Sequence, residues 1–280
     1  MKKIDNSFCQ KISVIILTHN EEKHIKRCIL SLKGKFKAIN VIDSFSDDKT
    51  ERICKKNRVN FIKNKFYNQS RQINWAIKKR LIKTPWVLRL DADEVLEKDF
   101  FKKINEIRNI NAYNGIELVI EHNFFGDRIK SGGVYPQKQI RLWKKNDGFY
   151  KEVPMNERIN ISKPKIYRSN IKIIDNNLKG LTFWFQKHFK YAQREAVYYK
   201  ILKKRKLPNK TIDPNISHRV LYYKFPIFIR TILLFLYRYL IKGGFLDGIT
   251  GLKFFILQTL YYRLLVDFCI LNNILFSRKK

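Results

Sequence analysis

Two aspartates one residue apart, Asp91 and Asp93, close the mainly apolar run WVLRL that begins at Trp86, and Glu94 stands directly behind them. In a strand alternate residues share a face, so Asp91 and Asp93 are expected to converge at a strand's carboxyl end, where open α/β sheets bind ligands. Paired carboxylates in that place suit a hard cation such as Mg²⁺, which takes its oxygens from one or two carboxylates and from substrate phosphates. The chemistry on offer is neutralisation of a leaving diphosphate. Aspartate pairs are also common in surface loops, so the reading rests on the strand that precedes this one.

The elements needed to position the pair are visible upstream. Residues 12–17 (ISVIIL) form a continuous, β-branched apolar run, the pattern of a strand buried on both faces. A polar turn follows at Thr18-His19-Asn20-Glu21, after which Ile25, Cys28, Ile29 and Leu32 recur at helical spacing and Gly34 supplies a stop. The unit repeats as strand 39–42, turn SFSDDKT, helix 51–56 and strand 59–62. A helical stripe of Ile73, Ala76, Ile77 and Leu81 then leads to Thr84-Pro85 and WVLRL. Alternation of this kind predicts an α/β fold with a mostly parallel sheet flanked by helices. Beyond the aspartates come a helix marked by Phe100, Ile104 and Ile107, strand GIELVIEH, a loop at 126–133, strand KQIRLW and a strand at 165–174.

Composition narrows the partners. The 280 residues hold 58 Lys+Arg against 24 Asp+Glu, a formal net charge of +34. Residues 179–280 carry +16 of it, with Glu195, Asp213, Asp247 and Asp267 the acids there. A charge of this size points to an anionic partner, either nucleic acid or an anionic membrane face. The four cysteines, Cys9, Cys28, Cys54 and Cys269, form no Cys-x-x-Cys pair, which argues against a zinc site or a disulfide framework and fits a reducing cytoplasm. The N-terminal MKKIDNSFCQK turns polar too soon for a signal peptide. From Leu181 a long helix is expected, ended by the basic cluster 203–206 and Pro208. Two apolar stretches follow at 225–241 and 249–271. Each contains charges (Arg230 and Arg238; Lys253, Arg263 and Asp267), which are costly at the centre of a spanning helix. Both are therefore read as amphipathic helices, with Arg230, Arg238 and Lys242 within a polar sector of about 120°.

Four segments in this order and spacing, ISVIILTHNEE, NVIDSFSDDKT, NQSRQINWAI and WVLRLDADE, resemble the nucleotide-binding half of the family-2 glycosyltransferases of the GT-A fold. The likeness continues in SGGVYP, QIRLW and GFLDG, and it is most marked for bacterial members that build lipopolysaccharide core or surface polysaccharide. The resemblance implies a Rossmann-like GT-A domain over residues 1–178, followed by a basic, amphipathic helical extension over 179–280. It further implies that Thr18, Asn20 and Glu21, in the loop after the first strand, hold the nucleoside of a nucleotide-sugar donor together with Asp43 at the end of the second. Arg71 is expected at the diphosphate. Asp91 is expected at both donor and metal, with Asp93 beside it on Mg²⁺ or Mn²⁺. His19 falls where the family accepts various residues and is read as wall. Inverting transfer also needs a general base, for which the resemblance points to Glu157 in VPMNERI. Related proteins carry that acid after His or Asp, whereas Asn156 precedes it here, and Glu152 is the alternative. SGGVYP is a candidate acceptor wall or an ordinary tight turn.

These readings converge on a metal-dependent glycosyltransferase moving a sugar to an oligosaccharide or lipid-linked acceptor. It is expected to lie peripherally on the cytoplasmic face of the cell membrane, bound to the anionic surface. Two alternatives use the same residues differently. A nucleotidyltransferase would hold a nucleotide and Mg²⁺ on a similar sheet and release pyrophosphate. A noncatalytic basic protein would bind membrane or nucleic acid by charge, but it leaves the ordered carboxylates without a use. No known nucleic-acid-binding motif accompanies the charge, so nucleic acid is not the expected partner.

Overall fold

The computed structural model describes residues 8–152, 157–204 and 221–277. They divide into two compact units. One runs through Arg128 and resumes at Pro136–Leu178, and the other joins Ile129–Tyr135 to the chain from Lys179 onward. The loop 129–135, expected within the 1–178 domain, thus groups with the helical part of the chain.

The first unit is built on one large sheet. Its strands are β1 (Ile12–Thr18), β2 (Ala38–Asp43), β3 (Asn60–Lys63), β4 (Trp86–Asp91), β5 (Glu94–Leu96), β6 (Gly115–Phe124), β7 (Asp127–Arg128), β8 (Gln137–Lys144) and β11 (Ile166–Asn176). The order is β3-β2-β1-β4-β8-β6-β11-β5, with β7 on β6, while β9 (Gly148–Tyr150) and β10 (Ile159–Ile161) form a separate pair. The first four strands are mutually parallel, and β6 is parallel to β11. Strand β8 runs antiparallel to both β4 and β6, and β5 is antiparallel to β11. The mostly parallel α/β sheet expected from the sequence is the one observed.

Burial on both faces explains the unbroken apolar runs. In β1, Ile12, Val14 and Ile16 pack into one core with Ile25, Cys28, Ile29 and Leu32 of α1 (Ile25–Leu32), Cys54 of α2 (Thr50–Lys56), and Phe100, Phe101 and Ile104 of α4 (Phe100–Asn105). Ile15, between them in sequence, faces the opposite core with Ile73 and Ala76 of α3 (Gln69–Lys78). The period of two that assigns these side chains to faces also puts Arg89 and Asp91 of β4 on the face of Val87 rather than of Leu88. Strand β4 ends at Asp91, and Ala92 and Asp93 form a turn into β5. The expectation that Asp91 and Asp93 share a strand face is therefore corrected: the chain reverses between them.

The second unit contains the long helix α5 (Gly180–Lys204), a helix at Ile229–Leu236 that continues as a π-helical turn over Tyr237–Ile241, and helical segments Gly248–Phe255, Ile256–Tyr261 and Tyr262–Ser277. Helix α5 packs on Tyr262–Ser277 through Ala192, Ala196, Tyr262, Val266, Cys269 and Ile270. The basic cluster expected to end α5 lies half outside the described residues, and Pro208 lies outside them. Loop 129–135 is tied in by Asp247, whose Oδ2 accepts from the N–H groups of Lys130 and Ser131 at 3.0 and 2.8 Å. Gly132 has φ +69°, and a Cβ there would fall 1.9 Å from the Phe255 ring. Gly132 of SGGVYP thus serves a close backbone–aromatic contact within this unit.

The charges of the two apolar stretches are not where an amphipathic reading puts them. Arg230 and Asp267 are buried and paired. Arg230 Nε donates to Asp267 Oδ1 at 2.9 Å, Nη2 donates to the same oxygen, and Oδ2 accepts from Phe228 N–H at 2.9 Å and Thr231 Oγ1 at 3.0 Å. Arg263 donates to the buried Glu195 at 2.6 Å, which also accepts from the hydroxyls of Tyr223 and Tyr262. Arg230 therefore belongs to the interior, not to an outer polar sector. With Arg263 and Asp267 turned inward, Gly244–Asn272 is by length and composition a helix long and apolar enough to cross a membrane, and 33% of its apolar window is buried.

Removing one partner of a buried ion pair leaves the other unpaired, at a cost of about 3–5 kcal/mol. Asp267→Leu is expected to lower stability by this amount, and Arg230→Met/Asp267→Leu to recover more than half of the loss. Urea denaturation followed by circular dichroism checks both.

Candidate active site

Strands β1 and β2 end side by side, Thr18 opposite Asp43. On the other flank of β1 the end of β4 is one position away, Leu17 opposite Asp91. The chain passes from β1 to β2 and β3 on one side and then crosses to β4 on the other, so strand order reverses at β1. That reversal leaves a crevice at the carboxyl ends of parallel strands.

Asp43 is fully buried at this edge. Its Oδ1 accepts from Thr18 Oγ1 at 2.8 Å and Ser46 Oγ at 2.5 Å, and its Oδ2 from Ser46 N–H at 2.8 Å. Three donors compensate a charge that burial would otherwise penalise. The carboxylate expected to contact a nucleoside is spent on shaping the loop. Asn20, with φ 56°, donates its N–H to Ser46 Oγ at 2.8 Å and accepts from Asp47 N–H at 3.0 Å. The N–H groups of Glu21 and Glu22 donate to Thr50 Oγ1 and Asp48 Oδ2. The loops after β1 and β2 are thereby joined along their length. Glu21 Oε2 lies 2.6 Å from Nδ1 of the buried His24, whose Nε2 accepts from Leu178 N–H at 2.7 Å. An Nε2 that accepts places the proton on Nδ1, where Glu21 receives it. Phe45, between Asp43 and Ser46, has φ 59° and is 59% exposed. A non-glycine residue in this conformation is strained, and such strain gathers at ligand sites.

At the end of β4 four charges meet. Asp91 accepts from Arg89 Nη2 at 2.7 and 3.0 Å, and Arg141 Nη1 lies 3.5 Å from its Oδ2. Arg141 Nη2 donates to Glu94 Oε1 at 2.7 Å, while Glu94 Oε2 accepts the N–H of Asp91 at 2.8 Å. Gln69, the first residue of α3, donates to Asp91 Oδ1 at 3.3 Å, and Asn68 caps that helix by accepting from Arg71 N–H. Arg89, Arg141 and Glu94 are buried, whereas the Asp91 side chain is 32% exposed. Burial pushes the Glu94 carboxyl up to about 8; Arg141 opposes this, and Asp91 and Asp175 add to it. Next in line, His122 Nδ1 lies 2.8 Å from Asp175 and its Nε2 2.6 Å from Gln137 Oε1. Burial works against charging that ring, but the Asp175 carboxylate raises its pKa above the ordinary histidine value.

The structure thus gathers Thr18, Asn20, Glu21, Asp43 and Asp91 at one sheet edge. Asp93, in the turn after β4, accepts from Asn177 Nδ2 at 2.9 Å, and its carbonyl accepts from Arg27 at 2.8 Å. Arg71 pairs through Nε with Glu152 at 2.7 Å, both side chains about half exposed. The expected diphosphate contact and the alternative base are therefore partnered with each other. Glu157 is half-buried, just before β10; Asn156 lies outside the described residues. Trp143 is a core residue against Tyr150. Sequence reasoning missed Arg89, Arg141 and Glu94. A signal was present, since an arginine inside the apolar strands WVLRL and QIRLW must have a buried partner.

Among the described residues no group of three or more His, Cys, Asp or Glu side chains could hold a metal ion by itself. A hard cation needs only one or two protein carboxylates and completes its shell with phosphate and water, and the partly exposed Asp91 carboxylate is a donor of that kind. The partial exposure of Asp91 leaves room for that exchange, while its arginine neighbours already compensate its charge.

Residues 13–130 match the family model described as Glycosyl transferase family 2. The chain is 28% identical over 186 residues to the SPbeta prophage-derived glycosyltransferase SunS of Bacillus subtilis (strain 168), covering 60% of this chain and 41% of that one. It is 32% identical over 140 residues to an uncharacterized glycosyltransferase of Rickettsia typhi, covering 49% and 47%. It therefore spans less than half the length of these curated relatives. Among solved structures, the mannosyltransferase PcManGT of Pyrobaculum calidifontis, in complex with GDP-Man and Mn2+, aligns over 96% of this chain and 89% of that one, with a TM-score of 0.54 and 12% identity. That likeness is one of fold.

The raised Glu94 carboxyl gives a pH dependence of defined sign. Between the ordinary value of 4.5 and about 8 the folded chain holds a proton there that the unfolded chain has lost. Stability from this group is full below 4.5 and falls as pH rises to about 8. Thermal unfolding from pH 5 to 8 is expected to show a shallower decline in Glu94→Gln than in the wild type.

Proposed function

We propose, on the premise that the chain is a family-2 glycosyltransferase of the GT-A fold, that it moves a sugar from a nucleotide-sugar donor to a glycan acceptor with inversion. One observation carries the reading: Thr18, Asp43 and Asp91 stand at the ends of three adjacent parallel strands where the strand order reverses. The joined loops 18–22 and 43–50 form the seat for the nucleoside, with Asp43 acting through the loop it holds and the exposed Phe45 ring offering a flat surface to the base. The diphosphate lies toward Asp91, Asp93 and the amino end of α3, where Arg71 can exchange Glu152 for phosphate. Asp91 and Asp93 would hold Mg²⁺ or Mn²⁺, which supplies neutralisation of the leaving diphosphate. Glu157 takes the proton from the acceptor hydroxyl. The acceptor is a lipid-linked or oligosaccharide chain of lipopolysaccharide or surface polysaccharide synthesis, met on the cytoplasmic face of the membrane.

Each assignment has its own test. In a screen of nucleotide sugars with Mn²⁺, turnover is expected to release nucleoside diphosphate; no turnover of any nucleotide sugar, with pyrophosphate released from a nucleoside triphosphate and a sugar 1-phosphate, would make the protein a nucleotidyltransferase. Glu157→Gln keeps the side chain's shape and removes the base, so transfer is expected to fall by about 10² to 10⁴, with donor affinity in calorimetry unchanged. A Gln variant with more than about a tenth of wild-type rate would move the role to Glu152.

Because the site has two carboxylates and relies on phosphate for the rest, Mn²⁺ is expected to bind weakly alone and more tightly once a nucleoside diphosphate is present. Isothermal calorimetry of Mn²⁺ with and without UDP or GDP reads this directly. Asp93→Asn is expected to abolish the enhancement. Equal Mn²⁺ affinity in both conditions would exclude the two-carboxylate site.

A further inference from the structure

We infer that the second unit inserts its outer face into the acyl region of an anionic bilayer, instead of adhering to the surface by charge. The argument is the distribution of polar groups. Over residues 224–272 the acids are Asp247 and Asp267. Asp267 is buried on Arg230, Thr231 and Phe228 N–H, and Asp247 accepts from Lys130 and Ser131. The exposed charges of the same stretch are all basic: Lys224, Lys242 and Lys253. Between them the surface is apolar. Ile241, Leu246 and Ile249 are 75, 72 and 73% exposed, and Ile229, Ile232, Leu233, Leu240 and Phe245 are exposed nearby.

In water such an arrangement is unfavourable, since charges sit inside and branched aliphatic side chains outside. At a membrane it is favourable on both counts. Hydrocarbon tolerates a buried, internally paired Arg–Asp but not an outward one, and exposed apolar side chains of this density are otherwise a liability. The residual surface charge has one sign, complementary to anionic headgroups, and lysines can reach the interface from an immersed helix. A second copy of the chain would gain nothing from lysines of like charge brought face to face. The inference does not depend on the reaction catalysed.

Flotation of the full-length protein with phosphatidylcholine–phosphatidylglycerol vesicles, read at low salt, at high salt and in alkaline carbonate, separates insertion from adhesion. The wild type is expected to float in all three. Leu246→Asp/Ile249→Asp alters two side chains that are about three-quarters exposed, so its circular dichroism melt should match the wild type. Its membrane partitioning should fall at least about tenfold. Lys242→Glu/Lys253→Glu should lose binding chiefly at low salt and keep a salt-resistant remainder. Release of the wild type by high salt would reduce the interaction to charge and overturn the proposal. So would unchanged flotation of Leu246→Asp/Ile249→Asp. A protein that does not float, and whose light-scattering mass doubles unless these two residues are changed, would assign the face to a second copy.

Discussion

The first unit depends on how four buried or half-buried ionisable side chains at the end of β4 satisfy one another. Arg89 and Arg141 enter from apolar stretches of two neighbouring strands, and neither could be buried without a carboxylate in reach. Asp91 and Glu94 supply it, and Glu94 also accepts the Asp91 N–H, which fastens the turn through Ala92 and Asp93. That turn lets the chain leave β4 and return as β5 on the far edge of the sheet. It leaves Asp91 partly exposed at the carboxyl edge, beside the loops that Asp43 and Ser46 hold together. The same network reaches His122 through Asp175, so site electrostatics and sheet pairing share residues.

The two units solve the burial of charge in opposite settings. In the sheet, arginines are drawn in beside carboxylates at the carboxyl edge of the parallel strands. In the helical unit Arg230–Asp267 and Arg263–Glu195 are drawn in with no ligand edge beside them, and the aromatic rings of Tyr222 and Tyr223 lie 5.2 and 4.9 Å from the Arg230 guanidinium. The effect there is to clear the exterior of acids. A sequence-level helical wheel places Arg230 on a polar face because it asks only about angle. The partner that decides the matter lies 37 residues away in sequence.

Local pattern was enough for much of the fold. An unbroken β-branched run marked β1 as a strand buried on two faces, because a strand covered on both sides has no reason to alternate, and the mainly apolar WVLRL marked β4. The stripe Ile25, Cys28, Ile29, Leu32 marked α1, and the alternation of such units predicted the parallel half of the sheet. The family resemblance carried by the ordered motifs also implied that Thr18, Asn20, Asp43 and Asp91 share one candidate site. What escaped was pairing at long range: β8 running antiparallel between β4 and β6, the reversal between Asp91 and Asp93, and the grouping of loop 129–135 with the helices through Asp247 and Phe255.

Sequence by itself therefore determined the elements, their alternation and the carboxylates that stand at strand ends, since period and local propensity are properties of neighbouring residues. Tertiary structure alone decided which of those carboxylates stay partly exposed and which are buried under donors. Asp43 is buried under three donors, Glu94 is shared between Arg141 and a backbone N–H, and Asp91 keeps a third of its side chain exposed. It also decided that Arg230, Arg263 and Asp267 of the apolar stretches point inward. The physical reason is common to both: the free energy of a charge depends on partners and water within a few ångströms, and residues that supply them come from distant parts of the chain.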